Sequence, residues 1–494
     1  MDSVHLPALQ VVVPLLTAPI VAVLRDARLS WLAAVVTSVM TFVVSVYIVQ
    51  HVLAGAVLSY QMGGWAAPYG IELRVDSLNA LMLLVVSGAS TLALLAGRQS
   101  LTLQIGEERL PLFMAAWLLA LAGLVGILVS GDAFNIFVFM EISSLASYIL
   151  ISGGPDRRAL PSVFKYLIAG TLGATFYLIG VGMVYMMTGT LNIADMEARL
   201  AGVGDTNVVF VAAGFITIGL ALKAAIYPMH AWMPNAYTFA PNIVTAFIAA
   251  CSTKVALYVL LRMDFFVFQK NLVDHESQFT YLLMPLALLG IVFGSVAAVF
   301  ERNIKRILAF SSVAQIGYIL LGASLISVSG FTAAVLHLFN HALAKSALFL
   351  AVAAMGLYFA RLRLQVLRGA GRKMPWTFAA FVVAGLSLIG VPGTAGFVSK
   401  WALISAALES NLVVPLLVLI LGSSLLAIVY IGRIVEHLWF GDATDKAVQI
   451  GEAPSWMLAM VWLAVAANIW FGLDSSLPMA LAQQSAIDLL RQLP

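Results

Sequence analysis

Cysteine is almost absent from this sequence, and charged residues are scarce. A single cysteine, Cys251, stands among 494 residues, which excludes a disulfide framework and a cysteine-based metal or cluster site. Asp, Glu, Lys and Arg make up only 10% of the chain, against about 25% in soluble proteins. Hydrophobic residues reach 62%. The composition therefore predicts an integral membrane protein.

The few charges show no pattern typical of a nucleic-acid-binding protein or a soluble domain. Lys and Arg number 26 and Asp and Glu 23, and no tail of like charge is present. No polar stretch is long enough for an extramembrane enzyme domain, and no haem-attachment or nucleotide-binding motif occurs. The start, MDSVHLPALQ, lacks the features of a signal peptide. We therefore expect neither catalytic activity nor a cofactor in this chain.

Apolar runs of about 20 residues, the length that crosses a bilayer, predict an all-α polytopic membrane protein with about fourteen transmembrane helices. The spans are expected at 6–24, 30–57, 77–97, 111–130, 133–152, 162–188, 207–227, 242–262, 280–300, 307–327, 331–359, 376–408, 412–440 and 455–473. The segment from Asp474 onward is typical of an interfacial helix.

Two spans contain Pro and Gly residues that interrupt a membrane helix. They are Pro228 in the seventh span and Gly390, Pro392 and Gly393 in the twelfth. Because the seventh and twelfth spans differ by five places, an odd shift, they predict two inverted five-helix repeats, and paired broken helices indicate a transport site. The predicted regions are 1–110 (helices 1–3), 111–262 and 280–440 (the repeats), and 441–494 (helix 14 and the tail). Helix packing alone is the alternative role of the breaks.

The basic residues of the loops predict the orientation, since Lys and Arg stay on the cytoplasmic side of short loops. Fifteen lie in odd-numbered loops: Arg25, Arg28, Arg98, Arg109, Arg157, Arg158, Arg302, Lys305, Arg306, Arg361, Arg363, Arg368, Arg372, Lys373 and Lys446. Five lie on the opposite side: Arg74, Arg199, Arg262, Lys270 and Arg491. We therefore expect a multi-pass protein of the cell membrane with both termini on the outer side.

Six basic residues fall within the predicted spans. Two of them have ordinary explanations: Lys165 can reach the interface, and Arg433 can pair with Glu436. The other four lie in mid-span between apolar turns: Lys223, Lys254, Lys345 and Lys400. A charge at mid-bilayer costs at least ~2.5 kcal/mol on insertion scales, so four together indicate a hydrated or paired interior path.

Glu141 is the acidic counterpart of these lysines, because it lies mid-span in GDAFNIFVFMEISSLASYIL. A lysine that keeps its proton beside a carboxylate and loses it when desolvated acts as a proton switch. Which lysine contacts Glu141 stays open, and a static buried ion pair is the alternative.

The eleventh span, with HLFNHALAKSALFL, places His337, His341 and Lys345 on one helical face, because they are spaced by four residues. Histidine changes charge near neutral pH, so this face predicts a proton relay. The absence of a carboxylate or cysteine from the face argues against a metal site. His230, Ser311, Ser312 and Gln315 either line water or only pack.

Taken in order, these residues resemble the antiporter-like membrane subunits shared by Mrp cation/proton antiporters, respiratory complex I and membrane-bound hydrogenases. The resemblance covers nearly the whole chain and includes the Glu of the fifth span, the Lys of the seventh, eighth and twelfth, and the His and Lys cluster of the eleventh. The fifth-span string and the length look most like the D-type subunit of the Mrp antiporters. The resemblance implies a subunit of a multisubunit transporter that exchanges sodium or another monovalent cation for protons.

The resemblance also implies roles for individual residues. Glu141 and Lys223 would form the switchable pair, Lys254 and His337 the central proton path, and Lys345 and Lys400 its far end. His341 would extend the relay on the eleventh span. Other membrane subunits of the complex are the implied partners, and no nucleic acid is expected.

Three alternatives remain. The first is a proton-pumping subunit of a redox complex related to complex I or a hydrogenase, whose redox centres would lie in partner subunits. The second is the membrane partner of an inorganic-carbon uptake system. The third is a structural subunit whose buried charges only specify helix packing, a costly use of four mid-span lysines.

Overall fold

The computed structural model describes residues 3–203, 206–268 and 282–490. Within these ranges the chain forms nineteen α-helices and one two-stranded antiparallel sheet, β1 (Leu58–Gln61) with β2 (Glu72–Val75). The helices are α1 (Leu6–Val23), α2 (Ala27–Leu53), α3 (Ser77–Ile105), α4 (Leu110–Val129), α5 (Ala133–Ser152), α6 (Ala159–Thr188), α7 (Ile193–Val203), α8 (Asn207–Ala224), α9 (Met233–Phe239), α10 (Asn242–Arg262), α11 (Met284–Phe300), α12 (Ile304–Ser324), α13 (Val328–Met355), α14 (Pro375–Ile389), α15 (Ala395–Leu408), α16 (Val413–Val435), α17 (Asp445–Val448), α18 (Ser455–Leu473) and α19 (Ser476–Leu489).

The helices of the described ranges confirm a polytopic membrane fold. Twelve of them are long and apolar enough to cross a membrane, and α11, α14 and α15 are shorter apolar helices. With α11 as one crossing and α14 and α15 as the two halves of another, the described chain has fourteen crossings. Most are apolar around their whole circumference, as expected of helices surrounded by lipid and by other helices.

Two crossings are interrupted, as the sequence predicted. Helix α8 ends at Ala224, and the chain passes Pro228 before α9 begins at Met233. Helix α14 ends at Ile389, and α15 begins at Ala395. Gly390 and Gly393 lie between them with φ of 93° and 86°, in the left-handed region that favours glycine.

The two sets of five crossings pack in the same order. Helices α4, α5, α6, α8 and α10 each contact the next crossing in the series. Helices α11, α12, α13, the α14 and α15 pair, and α16 repeat that order, with the interrupted crossing fourth in each set. The limits 111–262 and 280–440 for the two repeats stay a prediction.

Helix α13 lies at the centre of the described chain. It is buried along nearly its whole length and contacts α3, α10, α12, α14, α15, α18 and α19. Helix α19 was predicted to lie at the membrane interface. Its residues Pro478, Leu481 and Ser485 are buried, and it packs on α3 and α13. The side chains of α13 are therefore enclosed by protein rather than lipid.

The small sheet and α7 were not predicted from the sequence. Glu72 on β2 connects them, because its carboxylate accepts hydrogen bonds from Ser59 Oγ at 2.6 Å and from Asn192 Nδ2 at 3.0 Å. The strands are too short for a period-2 pattern to be recognised. Helix α7 buries Ile193, Met196 and Leu200. Their spacing is typical of an amphipathic helix, so the sequence did contain a signal for α7.

Two basic residues assigned to loops are instead buried in helices. Arg262, counted on the outer side, is the last residue of α10, and Lys305, counted in a cytoplasmic loop, lies in the first turn of α12. Lys305 donates to the carbonyl oxygen of Ala240 at 2.6 Å. Both are exceptions to the rule that charges near helix ends face water. Lys270 and Arg491 lie outside the described residues.

Arg262 forms a bidentate ion pair with Asp76, which is also the N-cap of α3. Its Nη1 and Nη2 atoms donate to the two carboxylate oxygens at 2.7 and 2.8 Å. Burial acts to raise the pKa of Asp76, but the charge and hydrogen bonds of Arg262 outweigh it and hold the pKa below the ordinary 3.8. The pair connects the start of α3 to the end of α10.

We expect D76A to lower the free energy of unfolding by about 3–5 kcal/mol, because it leaves the buried guanidinium unpaired. D442N removes the exposed pair with Arg368, whose atoms lie 3.4 Å apart, and should cost under about 1 kcal/mol. Thermal unfolding of the detergent-solubilised protein measures both. Since the folded-state pKa of Asp76 is depressed, its contribution is complete above about pH 4 and is lost as the pH falls further. Equal effects of D76A and D442N would contradict this role.

Candidate functional site

The fifth and seventh crossings bring Glu141 and Lys223 together. Lys223 Nζ lies 3.4 Å from Glu141 Oε1 and donates to Ser144 Oγ at 2.6 Å. The lysine side chain is 6% exposed and the glutamate 28%. The lysine that contacts Glu141, which the sequence left open, is therefore Lys223.

The interruption of the seventh crossing positions Lys223. Helix α8 ends one residue later, where Ala225 has a φ of 56°. Trp232 Nε1 donates to the carbonyl oxygen of Leu222 at 3.0 Å, which satisfies one of the acceptors freed at the helix end. Close packing of α8 on α6 adds to this, because a Cβ on Gly173 would lie 2.8 Å from the carbonyl oxygen of Gly219.

A small cavity with several polar lining residues lies between Lys223 and the eighth crossing. Its volume is about 20 Å³, and its lining includes Lys223, Ser144, Ser147, Tyr166 and Ser252. A cavity with several polar partners needs about 10–15 Å³ to hold one water molecule. The space can therefore hold a water between Lys223 and α10.

Lys254, on α10, has no exposed surface. Its Nζ donates to the carbonyl oxygen of Ala249 at 2.5 Å, and no carboxylate of the described residues binds it. Helix α10, the last crossing of the first set, packs against α13 of the second set, which carries His337, His341 and Lys345.

The three titratable residues of α13 share one face, but their contacts differ. The His337 and His341 rings are nearly parallel, with centroids 6.2 Å apart. His337 contacts Gln315 Oε1 through Nε2 at 2.8 Å and Ser399 Oγ through Nδ1 at 2.9 Å. Neither ring nitrogen of His341 has a hydrogen-bond partner within the described protein.

Lys345, one helical turn further, is fully buried and turns toward α12. Its Nζ donates to the carbonyl oxygen of Leu308 and to Ser311 Oγ, both at 2.6 Å. The sequence predicted that Ser311 and Gln315 either line water or only pack. In the structure, Ser311 binds Lys345 and Gln315 binds His337. Ser312 instead donates to the carbonyl oxygen of Leu308 at 3.1 Å.

Lys400 lies beside the interruption of the twelfth crossing. Its Nζ donates to the carbonyl oxygen of Ile389, the last residue of α14, at 2.8 Å, and to Ser424 Oγ at 3.0 Å. The same atom lies 5.1 Å from the centre of the Tyr318 ring, which contacts the His337 ring edge to face at 5.5 Å. Tyr318 therefore stands between His337 and Lys400.

His230 lies apart from this row, in the segment between α8 and α9. Its ring stacks on Tyr227 with centroids 5.3 Å apart, and Nδ1 has no partner within the described residues. Within residues 3–203, 206–268 and 282–490, no group of three or more His, Cys, Asp or Glu side chains is placed to hold a metal ion.

Several polar neighbours in the site were not predicted. Ser144 lies three residues after Glu141 and so on the same helical face, a signal that the sequence contained. Ser399, Ser424 and Tyr318 each contact a charged or histidine side chain of a different helix. No local sequence pattern predicts these contacts.

We call the seven proton-binding side chains of these crossings the charged axis, and all of them except Glu141 are buried. The charged axis comprises Glu141, Lys223, Lys254, His341, His337, Lys345 and Lys400. It contains four lysines and one carboxylate. If all five were ionised, the apolar interior would hold a net charge of +3, which is costly. Such a row is suited to receiving and releasing protons.

Comparison with known proteins agrees with the fold. A family model described as "NADH:quinone oxidoreductase/Mrp antiporter, TM" matches residues 130–427. The chain is 40% identical to the N subunit of the NADH-quinone oxidoreductase of Desulforudis audaxviator, over 88% of this chain and 87% of that one. It is 30% identical to the D subunit of the Na(+)/H(+) antiporter of Alkalihalophilus pseudofirmus, over 87% and 85%.

A solved structure extends the similarity to the whole chain. A chain in the Mrp complex from Dietzia sp. DQ12-45-1b superposes with a TM-score of 0.90 at 29% identity, covering 100% of this chain and 98% of that one. The resemblance to antiporter-like subunits is thus confirmed, and the chain belongs to the NADH:quinone oxidoreductase/Mrp antiporter transmembrane family.

Proposed function

We propose that this protein is the proton-translocating subunit of a multisubunit antiporter that exchanges a monovalent cation, sodium in the first instance, for protons. The observation that carries the proposal is the charged axis, which extends from Glu141 through α10 and α13 to Lys400. The relatives named as Na(+)/H(+) antiporter subunits and the superposition on a chain of an Mrp complex support it. Its partners are the other membrane subunits of such a complex.

In this mechanism Lys223 acts as the switch. At 3.4 Å from Glu141 its ammonium group is stabilised by the carboxylate. A proton arriving at Lys254, on the neighbouring helix α10, adds a positive charge. This charge weakens the attraction between Glu141 and Lys223 or displaces the proton of Lys223. Charge then moves along the axis through His341, His337 and Lys400 without large helix motion.

The loop charges supply the orientation of the protein in the membrane. Both termini lie on the outer side of the cell membrane in this proposal, so that the basic loops face the cytoplasm. The resemblance to the Mrp antiporters adds the direction of exchange, in which protons enter from outside and cytoplasmic cations leave.

A second candidate function is proton pumping in a redox complex. The 40% identity to a protein named as a subunit of NADH-quinone oxidoreductase favours it. The charged axis would do the same work, and the energy would come from partner subunits. Purification of the native complex separates the candidates, since iron–sulfur or flavin subunits would identify the redox complex and membrane subunits alone the antiporter.

The test of the axis is K254M in the complete complex, assayed in inverted vesicles for the pH change that follows sodium addition. We expect transport to fall at least about a hundredfold, as for loss of a positioned proton carrier. K165M is the matched control, because Lys165 is exposed on α6, and it should transport normally. Normal transport by K254M, with the complex intact on a native gel, would exclude the proposed path.

A further inference from the structure

A second cavity of this chain lies away from the charged axis. It has a volume of about 660 Å³ and lies where α6, α10 and α12 begin and α11 ends, on the side predicted to face the cytoplasm. Six cationic side chains line it: Arg158, Arg302, Lys305, Arg306, Arg361 and Arg363. The acidic lining residues are Asp156 and Glu301. We call this space the basic cavity, and its lining carries four positive charges in excess.

The two acids are already bound. Arg158 Nη2 lies 2.7 Å from Asp156 Oδ2, and Arg306 Nε lies 2.8 Å from Glu301 Oε1. The pKa of Asp156 lies below its ordinary value, mainly because Arg158 donates hydrogen bonds to it. Arg302, Arg361 and Arg363 are exposed, and no carboxylate of the described residues pairs with them. Their guanidinium groups are free to bind an anion.

The rim of the basic cavity is held in place by backbone hydrogen bonds. Ile304 N donates to the Leu362 carbonyl oxygen and Leu364 N to the Arg302 carbonyl oxygen, both at 2.9 Å. These bonds fix Arg302 and Arg363 on adjacent strands of chain. Lys305 forms the buried floor, 2% exposed, bound to Ala240 and Asn242. The backbone that carries Arg302 and Arg363 is thus preorganised, which lowers the entropic cost of binding.

Helix ends add to the positive potential. Helices α6, α10 and α12 all start at this cavity, and the N-terminus of a helix carries a partial positive charge. Planar guanidinium groups bind phosphate oxygens in pairs. We propose that the basic cavity binds a phosphate group.

Two sources can supply this phosphate: an anionic membrane lipid or a soluble phosphate ion. The neighbouring surface suits a lipid, because Phe300 lines the cavity and is 77% exposed. Val296, Val292 and Leu289 continue the exposed apolar surface along α11, where acyl chains can lie. Basic pockets between membrane helices on the cytoplasmic side are known binding places for anionic headgroups.

The test is native mass spectrometry of the detergent-solubilised full chain with phosphatidylglycerol, phosphatidylcholine or inorganic phosphate. We expect the wild type to bind phosphatidylglycerol more tightly than phosphatidylcholine, and R302Q/R363Q to bind it about tenfold more weakly. R25Q/R28Q is the matched control, because both arginines are exposed on the same predicted side and outside the cavity. It should bind as the wild type does. If R302Q/R363Q aggregates, R361Q replaces it.

The outcomes separate the sources. Binding of inorganic phosphate without phosphatidylglycerol, lost in R302Q/R363Q, would support the site with a soluble ligand. Equal affinities of R302Q/R363Q and R25Q/R28Q for every probe would overturn it, as would a wild type that binds no phosphate. Copurification of the native complex with R302Q/R363Q gives one further outcome. Loss of partner subunits from this variant, with no phosphate bound by the wild type, would overturn the phosphate site and assign the cavity to an acidic partner segment.

Discussion

E141Q should abolish proton-coupled cation transport, lowering the rate at least about a hundredfold, while the complex still assembles. Glu141 is the one carboxylate of the described residues that binds a lysine of the charged axis, at 3.4 Å from Lys223 Nζ. The glutamine keeps the size of the side chain but cannot stabilise a protonated lysine. Lys223 then keeps only its hydrogen bond to the hydroxyl of Ser144, at 2.6 Å, and no negative charge stabilises its protonated form.

The same vesicle assay and matched variants make this expectation specific. E107Q changes an exposed glutamate between α3 and α4 and should leave transport unchanged. K223M should fail as E141Q does, and the double variant E141Q/K223M should be no worse than either, because both remove the same switch. Transport by E141Q at the wild-type rate would exclude a switching role for the pair. Loss of the assembled complex in E141Q and K223M alike, with E107Q intact, would favour a structural pair.

The residues of the charged axis were predictable because a charge within an apolar span is expensive and therefore rare. Glu141, Lys223, Lys254 and Lys400 are conspicuous in the sequence for that reason alone. The spacing of His337, His341 and Lys345 also predicted their common face, and the parallel imidazoles agree with it.

The contacts of those residues were not predictable. Glu141 and Lys223 are 82 positions apart in the chain, and His337 is 62 from Ser399. Which residues of two helices meet depends on their register and crossing angle, and hydropathy carries no information on either. The sequence could therefore predict which residues belong to the charged axis, but not which of them contact one another.

The sequence was least informative at helix ends. Arg262 and Lys305 were assigned to loops because charge accumulates there, yet both are buried, Arg262 on Asp76 and Lys305 on Ala240. Helix α3 likewise continues past its apolar part to Ile105 and ends at Gly106, where φ is 83°. Hydropathy marks where the lipid ends, whereas a helix ends where its capping residues are.

The second large effect is expected from G396A, in the interruption of the twelfth crossing. Gly396 lies in the first turn of α15, and its N–H donates to Ser387 Oγ at 3.1 Å. A Cβ at position 396 would overlap the backbone carbonyl of Ser387 in α14, which cannot move as a flexible side chain can. Ser387 also donates to Asn468 of α18 at 3.0 Å, so α14 is held from the other side.

The strain should therefore separate α14 from α15 and displace Lys400, which lies one turn after Gly396 on the same helical face. We expect G396A to lower the free energy of unfolding by about 1–3 kcal/mol or more, the usual cost of overpacking, and to reduce transport more than stability. Thermal unfolding and the vesicle assay measure the two effects on one preparation. G422A on α16, where no atom lies within 4 Å of the added Cβ, is the control and should change neither. If G396A transports and unfolds as G422A does, the close approach of α14 and α15 does not position Lys400.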